Sequence, residues 1–129
     1  MDMSGQKAQA VLRPDSDLDY EPLSIADGVE RAVLLDESDN TPNFRMRQYR
    51  LEPGATVPKH INEVEHEVFN TRGEYVAGIG DEEHVVSAGD TLLIPAGAVH
   101  WFRNEGDEPS EFVCVVPNGD TGTELIDEN

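Results

Sequence analysis

Short apolar runs separated by closely spaced turn signals are the feature that most constrains the fold of this chain. The runs occupy residues 32–35, 44–51, 85–86, 91–94 and 112–116. The segments between them are rich in Gly, which permits positive φ, and Pro, which fixes φ without donating an N–H. No segment of 12 or more residues between these turns contains a helical apolar stripe free of Gly and Pro. The sequence therefore predicts an all-β domain of about eight to ten short strands over residues 29–117, either a barrel or a jelly roll.

The two ends of the chain lack this pattern. Residues 1–22 are mostly polar and interrupted by Pro14, which predicts a flexible N-terminal arm that can still pair with a sheet edge. Residues 23–118 contain the predicted strands and form the barrel domain, and residues 119–129 form an acidic, solvated C-terminal tail. With 129 residues, the chain has room for one domain and one site.

The charge of the chain restricts its partners. It has 27 acidic and 9 basic residues, a net charge of −18. Such a field repels phosphate backbones and anionic membranes, so we expect small-molecule ligands or metal cations and no nucleic acid or membrane partner. The acidic residues are spread along the chain and Lys occurs only twice. This favours a halophilic surface screened by counterions, with an acidic protein from an ordinary environment as the alternative.

The single cysteine and the absence of long apolar segments bear on location. Cys114 alone cannot form an internal disulfide or a cysteine-based zinc cluster. No run approaches about 18 apolar residues, and the first thirty residues contain no apolar core of a secretion signal. The sequence therefore predicts a cytoplasmic protein.

The positions of the histidines predict a metal site. If residues 59–69 form one extended strand, His60, Asn62 and His66 lie on the same face, because strand side chains alternate. The carboxylates at 63, 65 and 67 then lie on the opposite face. Histidines on an inner face need a common partner such as a metal, although a single buried histidine is more often a hydrogen-bonded core residue. His84 follows an acidic turn and is predicted to be a surface residue without a role.

Two spaced motifs relate the chain to a known family. From Gly54 to Gly73 the sequence follows the first cupin motif, G(X)5HXH(X)3,4E(X)6G, except that Asn62 occupies the position of the second histidine and His66 that of the glutamate. From Gly89 to Asn104 it follows the second motif, G(X)5PXG(X)2H(X)3N, at every fixed position. The chain thus resembles the cupin superfamily over residues 41–117, and particularly small single-domain prokaryotic cupins in which four histidines hold one metal.

The resemblance implies a double-stranded β-helix, the cupin jelly-roll barrel, with one divalent transition metal. The implied ligands are His60, His66 and His100, with Asn62 as a weak or non-binding fourth group. Three imidazoles suit iron, manganese, nickel, zinc or copper and leave the charge of the ion uncompensated. The implied function is a small-molecule metalloenzyme of dioxygenase or oxidoreductase type. A non-catalytic ligand-binding or sensory cupin without metal is the alternative, so catalysis itself stays open. Small cupins usually pair through a barrel edge, which implies a homodimer.

Four further residues are candidates for the substrate pocket. Arg47 and Tyr49 precede the first motif and are placed to bind an anionic or carbonyl group, although a salt bridge on the strand face is an equal alternative. Phe102 shares its strand face with His100 and is predicted to line the cavity, while Trp101 points away. Cys114 alternates with Phe112 and is either a small buried residue or a thiol facing the substrate.

Overall fold

The computed structural model describes residues 9–126 as a nearly all-β chain. Within these residues there are eleven strands, two 3₁₀ turns (Asp15–Asp17 and Glu37–Asp39) and no α-helix. The strands are β1 (Glu21–Pro22), β2 (Val29–Leu35), β3 (Phe44–Leu51), β4 (Thr56–Ile61), β5 (His66–Arg72), β6 (Tyr75–Ile79), β7 (Glu82–Val86), β8 (Thr91–Ile94), β9 (His100–Arg103), β10 (Ser110–Pro117) and β11 (Glu124–Leu125). Strands β2 to β10 lie within residues 29–117, which confirms the predicted all-β domain.

The strands form two antiparallel sheets. The first has the order β1-β2-β3-β10-β5-β8 and the second the order β11-β4-β9-β6-β7. Because β4 and β5 belong to different sheets, as do β9 and β10, the chain repeatedly crosses between them. This is the arrangement of a double-stranded β-helix. The core includes Leu51, Tyr75 and Phe112, and burial alternates along β10 as expected for a strand with one inner face.

The extended strand predicted for residues 59–69 is wrong. Strand β4 ends at Ile61 and β5 begins at His66, with an irregular turn between them. The backbone groups of the turn bond to other loops: the Asn62 carbonyl accepts from the Gly97 N–H at 2.8 Å, and the Glu63 N–H donates to the Thr121 carbonyl at 2.7 Å. His60 and His66 therefore come from opposite sheets.

Both ends of the described chain contact the barrel. β1 pairs with β2 at the edge of the first sheet, and Arg13 forms a 2.6 Å ion pair with Asp39. In the segment predicted as a solvated tail, β11 pairs with β4, and the Ile126 N–H donates to the Lys59 carbonyl at 3.0 Å. The remaining parts of the predicted arm and tail, residues 1–8 and 127–129, lie outside the described residues. No helix in residues 9–126 is long and apolar enough to cross a membrane.

Gly78 allows Trp101 to pack directly on the backbone of β6. The two residues are cross-strand partners in β6 and β9, and a Cβ at Gly78 would lie 2.0 Å from Trp101 Cε2. The Arg103 guanidinium stacks over the indole, with its central carbon 4.5 Å from the ring centroid. Trp101 therefore covers the outer side of β6, next to the strand that supplies His100.

We expect Gly78→Ala to destabilise the fold by about 1–3 kcal/mol, because the new methyl group must displace the indole ring. Chemical denaturation at fixed salt and pH measures this change. Gly106→Ala is the matched control, since its Cβ would meet only Asn104 Oδ1 at 3.5 Å. Equal effects of the two substitutions would contradict the close packing of Trp101.

Candidate metal centre and cavity

A cavity of about 330 Å³ opens between the two sheets and brings the predicted site residues together. Its lining includes the four proposed metal-site residues, His60, Asn62, His66 and His100, and the four pocket candidates, Arg47, Tyr49, Phe102 and Cys114. The remaining described lining consists mainly of apolar and hydroxyl side chains contributed by both sheets and by both ends of the chain. All eight predicted residues therefore face the same space.

His60 and His100 are held as a pair. They are direct cross-strand partners in β4 and β9, with ring centroids 4.0 Å apart. Nδ1 of His60 lies 2.8 Å from the Pro58 carbonyl oxygen, and Nδ1 of His100 lies 2.9 Å from that of Ala98. Because a carbonyl oxygen only accepts, each Nδ1 must carry the proton and donate. Each Nε2 therefore keeps its lone pair, the form in which imidazole binds a metal.

His66 approaches the pair from the other sheet. It is the first residue of β5, and its ring centroid lies 6.0 Å from that of His100. Its Nδ1 lies 3.2 Å from the Cys114 sulfur, a group that either donates or accepts. The Nε2 atoms of His66 and His100 are both buried and have no hydrogen-bond partner within the described chain. A buried nitrogen without a partner is costly, and a bound ion or ligand would relieve that cost.

The environment keeps all three imidazoles neutral near pH 7. Burial lowers the pKa of His66 to about 3, with smaller contributions from Arg47, the other two histidines and Arg45. Burial also lowers the pKa of His100 to about 4 and reduces that of His60, although hydrogen bonds to Ala98 and Pro58 act in the opposite direction. Neutral imidazole is the ligating form, so this environment suits metal binding.

Asn62 has a different set of contacts from the histidines. It is buried, and its side-chain Oδ1 accepts a 2.6 Å hydrogen bond from the Thr123 hydroxyl. Its backbone carbonyl accepts from Gly97. The only side-chain atom of Asn62 suited to bind a metal is thus bonded to the C-terminal segment.

The donor set fits a divalent metal in chemistry, but its side chains are not yet in a coordinating arrangement. Among residues 9–126, no three His, Cys, Asp or Glu side chains are positioned to hold an ion as they stand. The unpaired Nε2 atoms of His66 and His100 nevertheless supply buried donors in one cavity, next to His60. The chemistry of these donors, three neutral imidazoles around one cavity, suits a divalent metal.

Aromatic side chains connect the histidines with the other end of the cavity. The His100 and Phe102 ring centroids are 5.7 Å apart, those of Phe102 and Phe112 are 5.2 Å apart, and those of Phe112 and Tyr49 are 5.1 Å apart and stacked. The Arg47 guanidinium carbon lies 5.8 Å from the Tyr49 ring centroid. Phe102 lines the cavity and Trp101 packs on the opposite side of β9, as strand alternation predicts.

The remaining titratable candidates lie in contrasting environments. Cys114 is buried, which raises the pKa of its thiol to about 11 despite the opposing effect of Arg47. His84 lies on β7 with an exposed side chain, 3.3 Å from a Glu82 carboxylate oxygen. The carboxylates at 63, 65 and 67 are exposed. The cavity is therefore bordered by neutral and cationic groups.

The sequence did not reveal several lining residues. Arg31 lies opposite Tyr49 in the β2–β3 pairing, residues 22–25 line the mouth, and Thr121 and Thr123 reach the cavity from the C-terminal segment. The end segments have no periodic pattern, so nothing local predicted these contacts. Phe112 was detectable, because it shares a strand face with Cys114.

Comparisons with known proteins agree with this architecture. The family model for the cupin domain matches residues 47–116. Protein SchB of Streptomyces halstedii is 30% identical over 118 residues, which cover 85% of this chain and 86% of SchB. Wheat (Triticum aestivum) oxalate oxidase GF-2.8 is 30% identical over 96 residues, and this match spans 67% of this chain but only 43% of the oxidase. The polyketide cyclase RemF from Streptomyces resistomycificus superposes with a TM-score of 0.86 at 21% identity, over 94% of this chain and 88% of RemF.

Neutral buried histidines predict a pH-dependent stability. The unfolded chain protonates these rings near their usual pKa of 6.5, whereas folded His66 and His100 resist protonation down to about pH 3 and 4. The unfolded state therefore binds more protons below pH 6.5, and stability falls as the pH falls. Between pH 7 and pH 5, each ring that stays neutral in the folded protein should lower the free energy of unfolding by about 2 kcal/mol. Denaturation of chelator-treated protein at pH 7 and pH 5 measures the loss.

His100→Phe keeps an aromatic ring and removes the titrating group, so it should reduce the pH dependence. His84→Gln removes an exposed histidine and should leave that dependence unchanged. An identical slope for the parent and His100→Phe would contradict the assignment of a neutral, buried His100.

Proposed function

The chain belongs to the cupin domain family, and we propose that it is a metal-binding member, a small-molecule metalloenzyme of dioxygenase or oxidoreductase type with a three-histidine centre. One observation above all supports this: buried, unpaired Nε2 atoms of His66 and His100 face the cavity that also contains His60. Small-molecule ligands are what a barrel cavity of this kind accommodates.

The ligands in this proposal are His60, His66 and His100, and the ion is iron, manganese, nickel, zinc or copper. Such an ion would polarise a bound substrate or exchange electrons with it. The backbone carbonyls of Pro58 and Ala98 orient two of the rings by accepting their Nδ1 protons. Asn62 holds the C-terminal segment through Thr123 in this proposal and contributes little to metal affinity.

The charge of the lining supports dependence on a metal. None of the described residues that line the cavity is an Asp or a Glu. A carboxylate general base is thus missing from the described lining. Its proton-carrying groups include the neutral imidazoles, the Tyr49 hydroxyl and the Cys114 thiol.

The relatives agree with chemistry on small molecules. The wheat relative is named an oxalate oxidase, which supports the oxidoreductase type for this chain. RemF is named a polyketide cyclase, and at 21% identity its likeness supports the fold and not its reaction. The substrate of this chain follows from neither name.

A cupin that binds a small ligand without metal or turnover is the second candidate. The arrangement of the side chains favours it, because within residues 9–126 no three metal-ligating groups are positioned to hold an ion as they stand. In that case the unpaired imidazole nitrogens would bind donors of an organic ligand.

Elemental analysis separates the two candidates. Protein purified at high salt, without an affinity tag or added chelator, should contain about one transition-metal ion per chain, held by the three imidazoles. His100→Ala should lose most of this metal, because the two remaining imidazoles hold an ion poorly. His84→Ala is the matched control and should keep the metal content of the parent.

Asn62→Ala tests the fourth position. Its metal content should stay close to that of the parent, since Asn62 Oδ1 is bonded to Thr123. If neither the parent nor His100→Ala holds metal after dialysis against a panel of divalent ions, the metalloenzyme proposal fails and the metal-free ligand binder replaces it.

The proposal includes a cytoplasmic homodimer that tolerates high salt. Phe69 on β5 and Leu93 on β8 are 47% and 57% exposed, and they lie on the outer face of the first sheet at its β8 edge. Val113 and Val115 line the same outer groove. An apolar face beside an open strand edge is a suitable surface for pairing two copies. The net charge of −18 requires salt to screen repulsion between the copies.

Light scattering coupled to gel filtration should give a mass of two 14.2 kDa chains at high salt and a larger monomer fraction at low salt. Leu93→Lys should shift the equilibrium towards monomer by placing a charge in the apolar contact. Val85→Lys adds the same charge at an exposed position on β7 and should leave the dimer intact. A monomeric parent at every salt concentration would exclude the dimer.

A further inference from the structure

The arginines of this acidic chain fall into two groups. Four of them form ion pairs with carboxylates: Arg13, Arg50, Arg72 and Arg103. The other three, Arg31, Arg45 and Arg47, have no ion pair with any carboxylate in the described part of the chain. With three times as many acidic as basic residues, carboxylate partners are abundant elsewhere on the surface. The lack of carboxylate partners at these three arginines is therefore a property of their surroundings and not the result of a shortage of acidic residues.

Two of these three arginines lie at the cavity, and the third is next to it along β3. Arg31 and Arg47 line it directly. Arg45 lies two residues before Arg47 on the same face of β3, opposite Val116, whose side chain is fully buried. Arg47 lies opposite Cys114, the residue that contacts His66. Arg47 is therefore separated from His66 by a single side chain, that of Cys114.

Parts of these guanidinium groups are buried without a partner. Nε of Arg47, and Nε and Nη2 of Arg45, are inaccessible and form no hydrogen bond within the described chain. An unpaired buried donor is costly, and more so when the group is charged. A carboxylate supplies both the acceptors and the opposite charge, and its shape matches the planar guanidinium fork.

The surface between the arginines and the histidines is aromatic. Tyr49, beside Arg47, stacks on Phe112, which contacts Phe102, which in turn contacts His100. Flat rings pack favourably on such faces, so this surface suits an unsaturated or aromatic body. A volume of about 330 Å³ accommodates a small molecule of that kind.

We propose that the cavity binds a small, flat organic acid, with its carboxylate on Arg47, supported by Arg45 and Arg31, and its unsaturated body along Tyr49, Phe112 and Phe102. The acid then extends towards the three histidines. This inference deepens the proposed function by naming a substrate class, and it rests on that function only for turnover of the bound acid.

Benzoate and its neutral analogue benzamide are suitable probes. Calorimetric titration at constant ionic strength and pH 7.5, with chelator-treated and with metal-supplemented protein, measures their affinities. Benzoate should bind about tenfold or more tightly than benzamide, which is the effect of one charged hydrogen bond. Cyclohexanecarboxylate has the same charge without a flat ring and should bind more weakly than benzoate.

Arg47→Met should remove the preference for benzoate and leave benzamide affinity nearly unchanged. Arg47→Lys keeps the charge without the planar fork and should retain part of the preference. Arg72→Met is the matched control, because Arg72 is exposed on the outer face and pairs with Glu111. Thermal denaturation establishes that each variant is folded.

Equal binding of benzoate and benzamide by the parent would overturn the inference without any variant. So would a folded Arg47→Met that keeps the preference for benzoate. Elemental analysis of the same samples keeps the two proposals separate. If the protein prefers benzoate but never holds metal, this inference stands and the metalloenzyme proposal is refuted. If it holds stoichiometric metal but has no preference for benzoate, the metalloenzyme proposal stands and this inference is refuted.

Discussion

The crossing of the chain from one sheet to the other between Ile61 and His66 determines the arrangement of the site. Two strands in the same sheet would place their histidines side by side on one wall. Here β4 ends in one sheet and β5 begins in the other, so that His60 and His66 approach the cavity from opposite walls. The turn is stable because its backbone groups are bonded to Gly97 and Thr121, and buried or partly buried backbone groups need such partners. The Gly97 contact belongs to the loop just before His100, so one turn aligns all three histidines.

Each nitrogen of an imidazole ring buried in an apolar barrel needs a hydrogen-bond partner or a bound ligand. His60 and His100 direct Nδ1 to a carbonyl two residues earlier on the chain, which fixes their tautomers and leaves Nε2 for the cavity. His66 contacts a thiol instead, and a thiol is a weak partner that does not impose a tautomer. His66 is therefore the ring whose orientation depends most on what occupies the cavity. That difference follows from position, since His66 begins its strand and Cys114, which lies opposite Val68 on β10, contacts it diagonally.

Sequence reasoning predicted the fold and the members of the site better than their arrangement. Strand parity was reliable within one strand: it separated Phe102 from Trp101 and grouped Cys114 with Phe112. It placed His60 and His66 together for the wrong reason, because alternation holds only while the chain stays extended. Strand parity could not predict the hydrogen bond between Asn62 and Thr123 or the position of Arg31. These contacts join segments far apart in sequence, and the end segments have no periodicity from which to predict a neighbour.

Acidic and basic side chains are distributed differently between the surface of the molecule and its cavity. A chain of net charge −18 generates a field that disfavours anions near its surface, yet its described cavity lining contains no carboxylate and includes two arginines. In the low-dielectric interior, nearby charges act more strongly than distant, screened ones. Inside the cavity, Arg31 and Arg47 therefore oppose the repulsion of anions by the acidic exterior. Arg47 and Arg45 also add to the effect of burial in lowering the pKa of His66, so two groups that suit the cavity to an anion help to keep this imidazole in the form that binds a metal.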